Sequence, residues 1–162
     1  MDEDAVDFVM AAWREDGVWR LDMLPKRAGD SLNALIDSLE AQAADSGALG
    51  LVCIGEEFFV LARMQGAQCR LLLSDVGAAS DWPLAVQVVE RLGLPRPDDA
   101  ELDEITPAGD LTIVSDWGMS GAELAILCED IDLYPDEVLG SVAARLGFGD
   151  QFDAALDELA AV

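Results

Sequence analysis

The chain has 162 residues, of which 33 are Asp or Glu and 9 are Lys or Arg, so its formal net charge is −24. A surface this acidic repels phosphate backbones and anionic lipid headgroups, and we expect no direct binding to nucleic acid or to a membrane. It favours encounter with a basic protein surface, although it would also serve solubility alone. Because the chain contains no His, Ser-His-Asp and Cys-His nucleophile systems and His-ligated zinc sites are excluded.

The hydrophobic content of 52%, with four Trp and five Phe, is enough to build one packed domain. No apolar stretch reaches the ~20 residues that a membrane-spanning helix needs, and the acidic N-terminus has the wrong charge for a secretory signal. The cysteines are dispersed, and we expect reduced thiols that pack as small apolar side chains at Cys53, Cys69 and Cys128. These features predict a soluble, cytoplasmic protein.

Residues 5–23 predict a β-hairpin, because Asp16-Gly17 has the residue types that a two-residue type I′ turn requires. This turn pairs Met10 with Met23 and sets the polarity of the two faces. The apolar face carries Phe8, Met10, Ala12, Leu21 and Met23, and the polar face carries Asp7, Arg20 and Asp22. Register and polarity therefore agree.

Residues 31–43 predict an amphipathic helix, and residues 49–74 predict three antiparallel strands. Gly55-Glu56 indicates a two-residue turn between the first two of these strands. With this turn, one face of the meander carries Leu51, Cys53, Phe58, Val60, Ala62, Leu71 and Leu73, and the other carries Val52, Ile54, Phe59, Leu61 and Leu72. Both faces are apolar, so we expect the second to be covered by the C-terminal helices or by a partner chain.

The second half of the chain has a mainly helical pattern. A helix begins near Asp81-Trp82-Pro83 and ends at Gly93. The acidic, Pro-containing segment 95–110 then predicts a linker or loop. The chain thus divides into an antiparallel α+β domain (1–94), this linker (95–110) and a helical region that packs on the sheet (111–162).

Within the last region, residues 111–114 predict either a short strand or a loop packed on the core. Ser120 and Glu123 have the spacing of a capping box, and helices follow over about 134–147 and 151–159. The fold class is therefore α+β, with an N-terminal antiparallel sheet (hairpin, helix and three-stranded meander) followed by a mainly helical C-terminal part.

No segment resembles a Gly-rich phosphate loop or a dinucleotide fingerprint, and we predict no catalytic residue, cofactor or metal site. Asp75 and Asp81 flank the loop where the meander meets a helix, and they either cap it or share a Mg²⁺ ion. Trp82 and Trp117 pack over helix ends or anchor a partner. The candidate partner-binding residues are Asp75, Asp81, Trp82, Trp117, Tyr134, Asp136 and Glu137.

Six segments follow one another in a recognisable order: Glu56-Glu57-Phe58-Phe59-Val60, Leu72-Leu73-Ser74-Asp75, Asp81-Trp82-Pro83-Leu84-Ala85, Gly109-Asp110-Leu111, Asp132-Leu133-Tyr134-Pro135-Asp136-Glu137 and Leu146-Gly147-Phe148. This order resembles the actinobacterial tRNA adenosine deaminase-associated proteins over nearly the whole chain after the first hairpin. The resemblance implies association with the enzyme that makes inosine in tRNA, in a family named largely for adjacent genes. It implies no activity and no catalytic residues, and Asp116-Trp117 departs from a more usual Asp-Leu pair.

The chain cannot itself be the deaminase, because zinc deaminases need His or Cys ligands and a Pro-Cys-x-x-Cys segment that it lacks. A tRNA-binding enzyme carries a basic surface, on which an acidic protein can dock. We therefore expect a non-enzymatic acidic interaction protein that acts as an accessory or regulatory partner of tRNA adenosine deaminase. The alternatives are a homodimeric structural module and a Mg²⁺-dependent enzyme that uses Asp75 and Asp81.

Overall fold

The computed structural model of the chain describes residues 6–41, 47–65, 68–80, 82–94, 106–130 and 132–161. A six-stranded antiparallel sheet with the order β2-β1-β3-β4-β5-β6 forms its centre. Its strands are β1 (Val6–Glu15), β2 (Val18–Leu24), β3 (Ala48–Ile54), β4 (Phe58–Gln65), β5 (Gln68–Leu73) and β6 (Ala108–Gly109). The helices are α1 (Leu32–Glu40), α2 (Pro83–Arg91), α3 (Gly121–Glu129), α4 (Pro135–Leu146) and α5 (Gly149–Ala161). The predicted α+β class is confirmed.

The first hairpin has the predicted register. Asp16 and Gly17 have φ angles of 54° and 79°, the left-handed values that a type I′ turn needs at both positions. Met10 therefore faces Met23 across β1 and β2. The turn residues alone were enough to fix this pairing, because the hairpin is a local structure.

The turn between β3 and β4 is one residue longer than the sequence predicts. Ile54 pairs with Phe58, so the connection has three residues and begins at Gly55, whose φ is 54°. Cys53 consequently pairs with Phe59 and lies on its face of the sheet. The predicted assignment of the β3 side chains to the same face as particular β4 side chains is therefore wrong. A shift of one residue in the strand pairing moves every side chain of a strand to the opposite face.

Both faces of the sheet are covered by helices of the same chain. Leu35 of α1 and Val88 of α2 pack on the face that carries Val52. Leu139 of α4 and the other C-terminal helices pack on the face that carries Leu51. The C-terminal helices, rather than a partner chain, thus cover the second apolar face.

The C-terminal half contains one strand that the sequence does not indicate. Ala108 and Gly109 form β6, which pairs with the end of β5 and lies inside the predicted linker 95–110; residues 95–105 lie outside the described residues. Residues 111–114 form a turn, with Ile113 and Val114 buried, which is the packed-loop alternative. The division into 1–94, 95–110 and 111–162 stays a prediction.

The helix ends follow local sequence signals. The Ser120 side chain accepts a hydrogen bond from the Glu123 backbone N–H at 3.2 Å, as the capping-box spacing predicts. Gly147 ends α4 with a φ of 117°. Over the described ranges, each helix is too short or too polar to span a bilayer.

Candidate functional site

A cleft of about 170 Å³ opens beside the connection between α3 and α4, and we call it the α3–α4 cleft. Three segments that are distant in the sequence meet there: the β3–β4 turn, the end of β5 and the α3–α4 connection. The described residues that line it are Glu56, Glu57, Phe59, Ser74, Asp75, Leu127, Cys128, Asp130, Leu133, Tyr134, Pro135 and Val138.

The lining combines buried side chains, most of them apolar, with carboxylates nearer the solvent. Phe59, Cys128 and Val138 are buried, and they give the cleft an apolar floor. The charged residues in the described lining are all acidic: Glu56, Glu57, Asp75 and Asp130. These carboxylates are exposed or half-buried, so they form a negative rim around an apolar interior.

The strands hold two sides of the α3–α4 cleft together. The Ser74 hydroxyl accepts a hydrogen bond from the Phe59 backbone N–H at 2.9 Å, and the Ser74 N–H donates to the Phe59 carbonyl at 3.1 Å. This pair extends the β4–β5 ladder by one residue and brings Asp75 beside the β3–β4 turn. Asp75 in turn accepts a hydrogen bond from the Gly77 N–H at 3.0 Å, which shapes the turn that follows β5.

The start of α4 forms the opposite side. Pro135 occupies the first turn of the helix, where its missing N–H costs nothing. The Glu137 carboxylate accepts a hydrogen bond from the Tyr134 backbone N–H at 3.0 Å and so fixes the entry to the helix. The Tyr134 side chain stays 53% exposed. A large aromatic side chain is therefore available at the mouth of the cleft.

A β-bulge adds one more carboxylate to this side of the sheet. Val6 pairs with Ile54 and Phe8 with Cys53, so Asp7 is the extra residue of β1. Its Oδ2 atom lies 4.0 Å from the Cys53 sulfur. Asp7 thus shares the face of Phe8 and Cys53, and the predicted placement on the opposite face is wrong because strict alternation fails at a bulge.

Electrostatic repulsion affects the ionisation of Asp7. Partial burial raises the pKa of Asp7, as do the carboxylates of Asp136 and Glu56, while Lys26 acts in the opposite direction. Asp7 therefore lies close enough to Asp136 and Glu56 for their negative charges to disfavour its own ionised form. A positively charged partner would relieve that repulsion.

The nearby thiols are held in their protonated form. Burial raises the pKa of Cys128 to about 12, with a smaller contribution from Glu129. Burial, followed by Asp7 and Asp136, raises the pKa of Cys53 as well. Since the thiolate is the reactive species, neither side chain is a nucleophile at neutral pH. In the part of the chain that the structure describes, no three Cys, Asp or Glu side chains cluster as metal ligands.

Comparison with known proteins agrees with the resemblance seen in the sequence. Residues 7–149 match the family described as Rv3753c-like tRNA adenosine deaminase-associated protein. The chain belongs to this family. It is 37% identical over 153 residues to Protein Rv3753c of Mycobacterium tuberculosis (strain ATCC 25618 / H37Rv), covering 94% of this chain and 88% of the relative. No solved structure matches the chain.

The structure brings together some of the predicted site residues of this family member. Asp75 and Tyr134 line the α3–α4 cleft. Asp136 and Glu137 are exposed in the first turn of α4, directly after Tyr134. Asp81 lies outside the described residues. These four described residues share one region, and their role in partner binding remains a prediction.

The two predicted tryptophans lie elsewhere. Trp82 is half-buried on the α1–α2 face, with its ring centroid 5.8 Å from that of Phe58. Trp117 is 9% exposed, and its ring packs against Trp19 with the ring centroids 5.0 Å apart. Neither residue lines the α3–α4 cleft. Both rings pack against other side chains of the chain, and a role of either in binding a partner stays a prediction.

Glu56, Glu57 and Asp130 line the cleft, although they were not among the candidate residues predicted from the sequence. Carboxylates in tight turns are commonly solvated charges. The sequence does not show which of these turns lies beside a cleft. The order of the meander did contain a signal. In an up-and-down sheet, the β3–β4 turn lies at the same end as the residue that follows β5, so the turn lies next to Asp75.

Proposed function

We propose that this chain is a non-enzymatic accessory protein of a tRNA adenosine deaminase, which it binds through its acidic surface. The observation that carries the proposal is membership of a family described as deaminase-associated. The net charge of −24 supports it, because an enzyme that binds tRNA presents positive charge to the phosphate backbone. We therefore expect the two surfaces that would meet to carry opposite charges.

Two regulatory consequences are open to an acidic protein that docks on a basic enzyme. If it covers the surface that binds tRNA, it competes with the substrate and limits the activity. If it binds beside that surface, it stabilises the folded enzyme by mass action and leaves tRNA binding intact. Displacement by tRNA distinguishes the two, since only the first requires both ligands to occupy the same surface.

The two alternative functions have less support. A homodimer was suggested by a second apolar sheet face, and the helices of the same chain bury that face. A Mg²⁺ enzyme was suggested by Asp75 and Asp81. The Asp75 carboxylate accepts a backbone hydrogen bond from Gly77, which fits the capping alternative, and Asp81 lies outside the described residues. The accessory role is the function that we put forward.

The test is direct binding between this protein and the deaminase of the same organism, measured by calorimetry at low and at physiological salt, with and without tRNA. We expect binding that weakens as salt rises, because screening reduces attraction between exposed charges. Absence of binding at low salt, with both proteins shown to be folded by circular dichroism, would refute the proposal.

A further inference from the structure

We propose that the α3–α4 cleft is the docking pocket for an arginine side chain on the surface of a partner protein. The proposal rests on the proposed function in so far as the partner is a protein with a basic surface. It goes further by assigning the contact to one pocket and to one side-chain chemistry.

The size of the α3–α4 cleft suits one long side chain. Its volume of about 170 Å³ is well above the roughly 10–15 Å³ that a single water molecule needs. This leaves room for a single extended side chain. The partner surface would therefore rest on the rim and insert one residue.

The polarity of the cleft matches the two parts of an arginine. Apolar walls from Phe59 and Val138 suit the methylene stem, which long basic side chains bury along apolar surface. The carboxylates of Glu56 and Glu57 at the rim suit the guanidinium, which pairs with carboxylates in bidentate geometry. The Tyr134 ring adds an aromatic surface on which a guanidinium can stack.

The surface next to the cleft is also suited to a protein partner. Ile126 on α3 is 68% exposed and directly precedes Leu127, a lining residue, while Tyr134 is 53% exposed. The α3 helix is apolar around its circumference except at Glu123 and Glu129. A helix that is apolar all round is normally buried on every side. The exposed Tyr134 side chain, which lines the pocket, is of the type that interfaces with other proteins favour.

A metal ion fits this cleft less well than an arginine. Hard cations require several oxygen ligands at once. Two of the four carboxylates already accept backbone hydrogen bonds, Asp75 from Gly77 and Asp130 from the Asp132 N–H at 2.9 Å. The remaining rim carboxylates, Glu56 and Glu57, can accept hydrogen bonds from a guanidinium. This does not require them to surround a metal ion.

The test uses two charge-matched double variants of the whole chain. Glu56→Gln with Glu57→Gln removes two charges from the rim of the cleft. The control, Asp153→Asn with Asp157→Asn, removes two charges from exposed positions on α5, outside the cleft lining. Each protein is titrated with acetyl-arginine amide, and with the neutral isostere acetyl-citrulline amide, while backbone amide signals are followed by NMR.

We expect saturable shifts at residues 56–57, 134 and 136–138 in the wild type and the control with the arginine probe. These shifts should be lost in the rim variant and absent with the citrulline probe. Unperturbed signals in the wild type, or equal shifts in the rim variant, would overturn the proposal. Because the probe is a small molecule, these outcomes do not depend on whether the deaminase binds. A deaminase complex that forms while the cleft ignores arginine would leave the proposed function standing and refute this pocket.

Discussion

The guanidinium carbon of Arg63 lies 3.4 Å from the centre of the Trp117 ring inside the protein. The same guanidinium donates to the Asp116 carboxylate, with 2.9 Å between Nη2 and Oδ2, and to the Ile113 carbonyl at 2.9 Å. The Arg63 side chain is fully buried. A buried cation is tolerated only when its partners replace water, so the turn Ser115–Trp117 closes over β4 and ties the C-terminal half to the sheet.

Replacing Trp117 by Ala should destabilise the protein strongly, because the ring contacts both Arg63 and Trp19. We expect a loss of about 3–5 kcal/mol in the free energy of unfolding, measured by urea denaturation. Trp82→Ala is the control, since that ring is half-buried and should cost less. Equal losses in the two variants would contradict the central position given to Trp117.

The Asp116 carboxylate should stabilise the fold in a pH-dependent manner. The hydrogen bond from Arg63 holds its pKa below the ordinary value of 3.8. A carboxylate with a lowered folded pKa stabilises fully above its unfolded pKa, and the effect is lost as pH falls through the folded pKa.

We therefore expect Asp116→Ala to cost about 1–2 kcal/mol at pH 7, less than for a fully buried pair because the carboxylate is 55% exposed. The difference from wild type, followed by urea denaturation, should shrink below about pH 4. A difference that is unchanged down to pH 2 would rule out this ion pair as its source.

Whereas the Asp116 carboxylate stabilises the fold, the ionised Asp7 carboxylate should destabilise it. Partial burial, with repulsion from Asp136 and Glu56, raises its pKa above 3.8, so its ionised form destabilises the fold. Asp7→Asn should raise the melting temperature at pH 7, and the gain should vanish below pH 3.8, where both states are protonated. The same change at exposed Asp22 controls for overall charge. A gain as large at Asp22 would show that net charge alone is responsible.

Two glycines that end helices should differ in their tolerance of a side chain. Gly93 has a φ of +74° with open space where an added Cβ would lie, so Gly93→Ala should cost only the backbone strain, about 1–2 kcal/mol. Gly147 has a φ of +117°, and an added Cβ would lie 3.2 Å from Nε1 of Trp19. That nitrogen donates to the Leu146 carbonyl at 2.9 Å, so it cannot move freely. Gly147→Ala should lower the melting temperature more than Gly93→Ala, and equal shifts would contradict this contact.

The features that sequence predicts well here are local. The Asp16-Gly17 turn and the Ser120–Glu123 capping box each depend on residues within a few positions, and both have the predicted geometry. The length of the turn after Ile54, two residues or three, decides which β3 side chains share a face with which β4 side chains. Gly55 is compatible with both lengths, so composition could not decide.

The α3–α4 cleft could be predicted only in part. Asp75 and Tyr134 were candidates because each stands at an element boundary, yet their proximity depends on how α4 packs across the sheet. Asp7 was misplaced because a bulge breaks the alternation of β1. Tertiary packing, rather than any single motif, assembles the acidic rim from separate parts of the chain.

The most direct measurement is the affinity of the deaminase for three proteins at low salt: the wild type, the Glu56→Gln/Glu57→Gln variant and the Asp153→Asn/Asp157→Asn control. We predict that the rim variant binds roughly tenfold more weakly, about 1.4 kcal/mol, while the control stays close to the wild type. Equal weakening in both variants would mean that only overall acidity matters and would contradict a defined site. No binding by the wild type would contradict the accessory role itself.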